Sequence, residues 1–124
     1  MRIFKNKAFS KWAVKERLND DSLRAAVHEM EAGLIDVDLG GHIVKKRVAI
    51  GMRGKSGGVR TLLVYKAGSK AFFVYGFAKN TRANISGLEL IALKHLAKEL
   101  LSFDDKALTE LSKQGALIEV KNNG

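Results

Sequence analysis

Lys45, Arg47, Arg53, Lys55 and Arg60 lie in one short stretch that also holds Gly51, Gly54, Gly57 and Gly58. Arginine presents a planar fork that grips two phosphate oxygens at once, and glycine lets backbone amides approach an anion closely. Together these residues suit a phosphodiester. Lys79, Asn80 and Arg82 follow a second apolar run and can turn towards the same place. Between Asp38 and Glu89 there is no carboxylate but ten Lys and Arg, whereas the flanks together hold twelve basic and thirteen acidic residues. The net charge of +9 therefore arises in this central block, and a field of that sign attracts polyanions. Charge alone does not choose between RNA, DNA and an acidic protein.

Other chemistries are excluded more sharply. Without cysteine there is no disulfide framework and no thiolate metal or redox site. His28, His42 and His95 have no metal-ligand spacing, so no metal or other cofactor is expected. His42, nearest the cationic block, reads as a solvated or capping residue. Gly54-Lys55-Ser56 ends like a phosphate-binding P-loop, but the earlier glycine is missing and the segment leads into a strand rather than a helix. The apolar start is broken within a few residues and nothing later reaches the length of a membrane span. A soluble, cytoplasmic protein without a membrane partner is expected.

The elements that position the cations follow from periodicity. Arg2-Ile3-Phe4 reads as a short strand. Phe9, Trp12 and Ala13 fall on one helical face, and an Asn19-Asp20-Asp21-Ser22 cap precedes Leu23, Ala26, Val27 and Met30 in a second helix. Residues 43–50, 59–66 and 71–78 are β-branched and aromatic, separated by residues 51–58 and by an Ala67-Gly68-Ser69 hairpin turn. Ser86 and Glu89 have capping-box spacing before a strongly apolar helix. Asp104-Asp105 opens a short helix, and residues 117–120 read as a terminal strand. The fold class is α+β: an N-terminal strand and helical hairpin, then an antiparallel sheet of about three long strands, then C-terminal helices, in a single domain.

Within the strands, alternation puts Lys45 and Arg47 on one face and Val44, Val48 and Ile50 on the other. Lys46 breaks this pattern and is expected to snorkel at an edge. In the third long strand, alternation puts Phe73, Tyr75, Phe77 and Lys79 on one face. Either Tyr75 or Phe77 is placed to stack on a base, although aromatic residues in strands are more often core.

Three segments together resemble the RelE/HigB-like toxins of bacterial type II toxin–antitoxin modules: the strand from Val44 to Ala49, the loop from Arg53 to Arg60, and the stretch from Tyr75 to Asn80. The resemblance covers roughly residues 1–100, so residues 103–124 are expected as a family-variable extension of one RelE-like domain spanning 1–124. It implies a RelE-like fold and an endoribonuclease that cuts messenger RNA, commonly on the ribosome, and is held inactive by a cognate antitoxin. Lys45 and Arg47 match the family's basic strand, Arg60 its arginine at the start of the next strand, and Lys79 its basic strand exit. Asn80 departs from the arginine of some members. Their later tyrosine is missing from Asn84-Ile85-Ser86, so the general base must come from elsewhere or the activity must differ.

For attack of a ribose 2′-hydroxyl on the adjacent phosphate, Arg60 and Arg47 are the expected phosphate holders and Lys55 or Lys79 the expected proton carrier. Lys45, Arg53, Asn80, Arg82 and Phe77 are expected to contact RNA. Two other readings stand beside this one: a non-catalytic RNA- or ribosome-binding domain, and a ParE-like gyrase inhibitor. In the ParE-like branch the active-site cations are generally depleted. Oligomeric state, codon preference and the antitoxin's identity are not legible in the sequence.

Overall fold

Each helix starts where a short polar side chain accepts an otherwise unpaired amide. Asn6 accepts from the Phe9 amide at 2.8 Å to open α1 (Lys7–Lys15), and Asn19 from the Ser22 amide at 2.9 Å to open α2 (Asp20–Glu31). Ser86 and Glu89 form the expected reciprocal capping box at α3 (Gly87–Ser102), and Asp104 caps α4 (Asp105–Lys113). The computed structural model describes residues 1–50, 58–78 and 84–121.

The described strands are β1 (Arg2–Asn6), β2 (Val37–Asp38), β3 (Ile43–Val48), β4 (Val59–Lys66), β5 (Lys70–Ala78) and β6 (Leu117–Val120). They form one sheet in the order β2-β3-β4-β5-β1-β6. The architecture is the expected α+β arrangement, with N-terminal strand, helical hairpin, three long antiparallel strands and C-terminal helices. Three features go beyond that expectation. β1 lies parallel to β5, β6 pairs antiparallel with β1, and the two-residue β2 adds an edge beside β3.

Helices cover both faces of the sheet. Phe9 and Ala13 of α1 and Leu23, Ala26, Val27 and Met30 of α2 pack on Ile3, Val44, Val48, Leu63 and Phe73. On the opposite face, Ala97 and Leu100 of α3 and Leu108 of α4 pack on Phe4, Ile43, Val64, Phe72 and Val74. A central strand between two helical layers must be apolar on both sides, and residues 59–65 of β4 are all buried. Residues 104–121 include α4 and β6, with Leu108 fully buried. Arg2 ties this region to β1 through a two-pronged contact to Glu119, at 3.0 and 2.9 Å, and this partner raises the arginine's pKa.

Two details differ from simple alternation. Lys46 shares a face with Val44 and Val48, but it does not snorkel: it is 2% exposed, and its ammonium meets Glu29 at 2.7 Å and the Leu34 carbonyl at 2.9 Å. Burial is tolerable because the charge is matched and hydrogen-bonded. The second difference is in β5, where Leu62 pairs with Tyr75 but Leu63 pairs with Phe73. Val74 is thus a bulge residue, and from there on the strand's facing is inverted.

Candidate phosphate-binding face

The bulge decides which side chains meet the cations. Strict alternation would group Phe73 with Tyr75 and Phe77; instead Phe73 packs on Phe9 of α1, ring centroids 5.2 Å apart, while Tyr75 and Phe77 turn to the opposite face. Asn6 supports the bulge, because the side chain that caps α1 also donates to the Val74 carbonyl at 3.1 Å. Gly76 then faces α1. A Cβ there would lie 2.2 Å from the Trp12 ring, so glycine is required for the helix to sit this close.

The result is two rows across three strands. Lys45 pairs with Leu62 and Leu62 with Tyr75; Arg47 pairs with Arg60 and Arg60 with Phe77. Cross-strand partners share a face, so Lys45, Arg47, Arg60 and Phe77 are brought together as expected, with Tyr75 among them. Successive rows on one face lie about 7 Å apart along the strands. The loop residues Arg53 and Lys55, and the strand-exit residues Lys79, Asn80 and Arg82, fall outside the described residues.

Arg47 and Arg60 stand directly opposite each other. Two like charges in such a pair repel, and among the described residues neither guanidinium forms an ion pair. Arg60 is 8% exposed, so it is not the open surface cation that its place in the basic segment suggests. Its Nη1 is buried without a hydrogen-bond acceptor among the described residues. An anion between the two guanidinium groups would satisfy that donor and remove the repulsion together. Arg47 is exposed, and its backbone amide is fixed by the Asp36 carboxylate at the sheet edge. Phe77 is 4% exposed, so its ring forms part of the floor rather than an open stacking platform.

The remaining strand end also needs its glycine. Gly58 is buried, and a Cβ on it would lie 2.0 Å from the Val48 carbonyl oxygen. The backbones of β3 and β4 therefore close on one another where the cationic segment enters the sheet. His42 lies at the other end of β3, exposed, with positive φ and its Nδ1 3.3 Å from the Tyr65 carbonyl, away from the Arg47–Arg60 row.

One pairing on this face was not legible in the sequence. The Tyr75 hydroxyl donates to Glu89 Oε2 at 3.2 Å, joining β5 to the first turn of α3. The spacing of Glu89 from Ser86 identified a cap, and the aromatic run identified Tyr75; no local signal joins residues fourteen apart. Among the described residues, no group of three or more His, Asp or Glu is placed to hold a metal ion, and no helix is long and apolar enough to cross a membrane.

No curated protein matches the sequence. A family model described as the RelE toxin of the RelE/RelB toxin–antitoxin system matches residues 1–120, from β1 through β6. The chain therefore belongs to the RelE toxin family, as a toxin of a toxin–antitoxin system with a cognate antitoxin as its partner.

Proposed function

We propose that this toxin is an endoribonuclease that cuts messenger RNA on the ribosome, in the cytoplasm, and so inhibits translation. The observation that supports this most strongly is the Arg47–Arg60 pair, with its buried, unsatisfied guanidinium nitrogen. A phosphodiester supplies the missing acceptor. In the reaction, the 2′-oxygen attacks the neighbouring phosphorus, negative charge grows on the non-bridging oxygens, and the 5′-oxygen leaves. Preorganised cations lower that barrier because they need not reorient as the charge develops. Arg60 and Arg47 hold the phosphate. Lys45, one row away on the same face, contacts the RNA backbone, and Arg53, Lys55, Lys79, Asn80 and Arg82 extend that contact. The Phe77 ring lies beneath the phosphate site.

Expression without the antitoxin, followed by mapping of RNA ends, tests the reading. Translated messages should be cut in the arrested cells. Growth arrest with intact messages and inhibited gyrase would assign the protein to the ParE-like branch. RNA binding without cleavage products would make it a non-catalytic RNA- or ribosome-binding domain.

A further inference from the structure

On the ribonuclease reading, the cationic face holds the phosphate but still needs a group that accepts the 2′-hydroxyl proton and one that protonates the leaving oxygen. Arginine supplies neither at ordinary pH, because it stays protonated. The Tyr75–Glu89 pair has the required complementary chemistry, a carboxylate acceptor and a hydroxyl donor joined by one hydrogen bond of 3.2 Å. It stands where the bulge turns β5 towards Lys45 and Arg60. The polypeptide orients both members. Glu89 Oε1 accepts from the Ser86 amide at 2.8 Å in the capping box, which aims Oε2 at Tyr75. The bulge that turns Tyr75 to this face is tied to Asn6 through the Val74 carbonyl. A bland role as a helix cap accounts for Oε1 but not for the contact of Oε2 with a phenol on the cationic face.

We propose that Glu89 and Tyr75 are the proton-transfer pair of the site, in place of Lys55 or Lys79. Glu89 Oε2 takes the proton from the 2′-hydroxyl as the O2′–P bond forms. Protonation of the carboxylate frees the Tyr75 hydroxyl from its charged acceptor. That hydroxyl then gives its proton to the 5′-oxygen as the P–O5′ bond breaks, and the phenolate recovers a proton from Glu89. One proton has moved from O2′ to O5′, leaving a 2′,3′-cyclic phosphate and a 5′-hydroxyl, and nothing is oxidised or reduced. Attacking and leaving oxygens lie in line on opposite sides of one phosphorus atom, so the step requires Glu89 to reach the first and Tyr75 the second.

The test compares full-length wild type, Glu89→Gln and Tyr75→Phe in single-turnover cleavage of messenger RNA on programmed ribosomes. Binding of a 2′-deoxy analogue of the same message is measured alongside. Glutamine still caps at this position, and phenylalanine keeps the ring, so thermal unfolding should stay close to wild type. Glu89→Gln should bind normally and cleave about 10²–10⁴-fold more slowly, the range for loss of a general base. Tyr75→Phe should be slowed on the ordinary message but close to wild type on one whose scissile 5′-oxygen is replaced by sulfur, because a thiolate leaves without a proton. Wild-type cleavage by folded Glu89→Gln would overturn the assignment and leave the ribonuclease reading intact. A Tyr75→Phe defect that persists with the sulfur leaving group would overturn the acid role. Absence of cleavage by the wild type on and off ribosomes would overturn the ribonuclease reading, and this inference with it.

Discussion

Lys46 and Arg60 are buried cations on adjacent strands, aimed at opposite faces of one sheet. Lys46 faces α2 and is fully matched: Glu29 neutralises it and the Leu34 carbonyl accepts a further hydrogen bond. Arg60 faces the other way, opposite Arg47, with a guanidinium nitrogen that has no acceptor among the described residues. A buried charge is a stabilising strut only when its partners are part of the fold; without them it costs stability and is ready to bind an anion. The first cation thus belongs to the architecture, and the second is the one that the proposed ribonuclease function assigns to the phosphate.

Substitution should separate them. The largest effect is expected for Arg60→Met, which keeps the apolar stem and removes the charge. Cleavage should fall by at least about 100-fold, as when one preorganised donor to a developing oxyanion is lost. Its unfolding free energy should stay within about 1 kcal/mol of wild type or rise, since an apolar isostere relieves an unsatisfied buried charge. Lys46→Met should do the reverse. It removes the buried ammonium that meets Glu29 and the Leu34 carbonyl and should cost about 2–3 kcal/mol in denaturant unfolding, with cleavage by the folded fraction retained. Comparable losses of cleavage in both variants would erase the distinction.

Gly76→Ala sharpens the same contrast from the β5 side. The new methyl meets the Trp12 ring, and overpacking of this kind costs about 1–3 kcal/mol. The strain should appear in thermal unfolding, and rescue by a smaller side chain at Trp12 would locate it there. The smallest effect is confined to alkaline pH. Burial, and then the hydrogen bond to Glu31, push the Tyr65 hydroxyl from 10.0 up to about 12. The unfolded chain loses this proton near pH 10 while the folded protein keeps it. Stability present below pH 10 should therefore fall as pH rises towards 12. Tyr65→Phe should remove that part of the slope, and an unchanged slope would show that other groups produce it.

The sequence displayed most of the frame because its signals are local. Caps at Asn19, Ser86 and Asp104, the helical spacing of Leu23, Ala26, Val27 and Met30, and the β-branched runs on either side of Ala67-Gly68-Ser69 each report a structure made by neighbours. What stayed hidden is long-range or depends on a single inserted residue. β1 lying parallel to β5 joins chain segments far apart in sequence. The Val74 bulge inverts the facing of Tyr75 and Phe77, and period-two alternation has no means of registering it. The cationic site was visible as charge at Lys45, Arg47 and Arg60, but the burial of Arg60 was not, because its cover comes from tertiary packing. The Tyr75–Glu89 contact needed both the bulge and the docking of α3.

Whether Arg60 holds the scissile phosphate is decided by cleavage of messenger RNA by the Arg60→Met protein, scored on material whose folding has been verified by unfolding midpoint. Arg60→Met should be as stable as wild type to within about 1 kcal/mol and should cut messages at least about 100-fold more slowly. A stable Arg60→Met protein that still cuts them at the wild-type rate would contradict that role of Arg60.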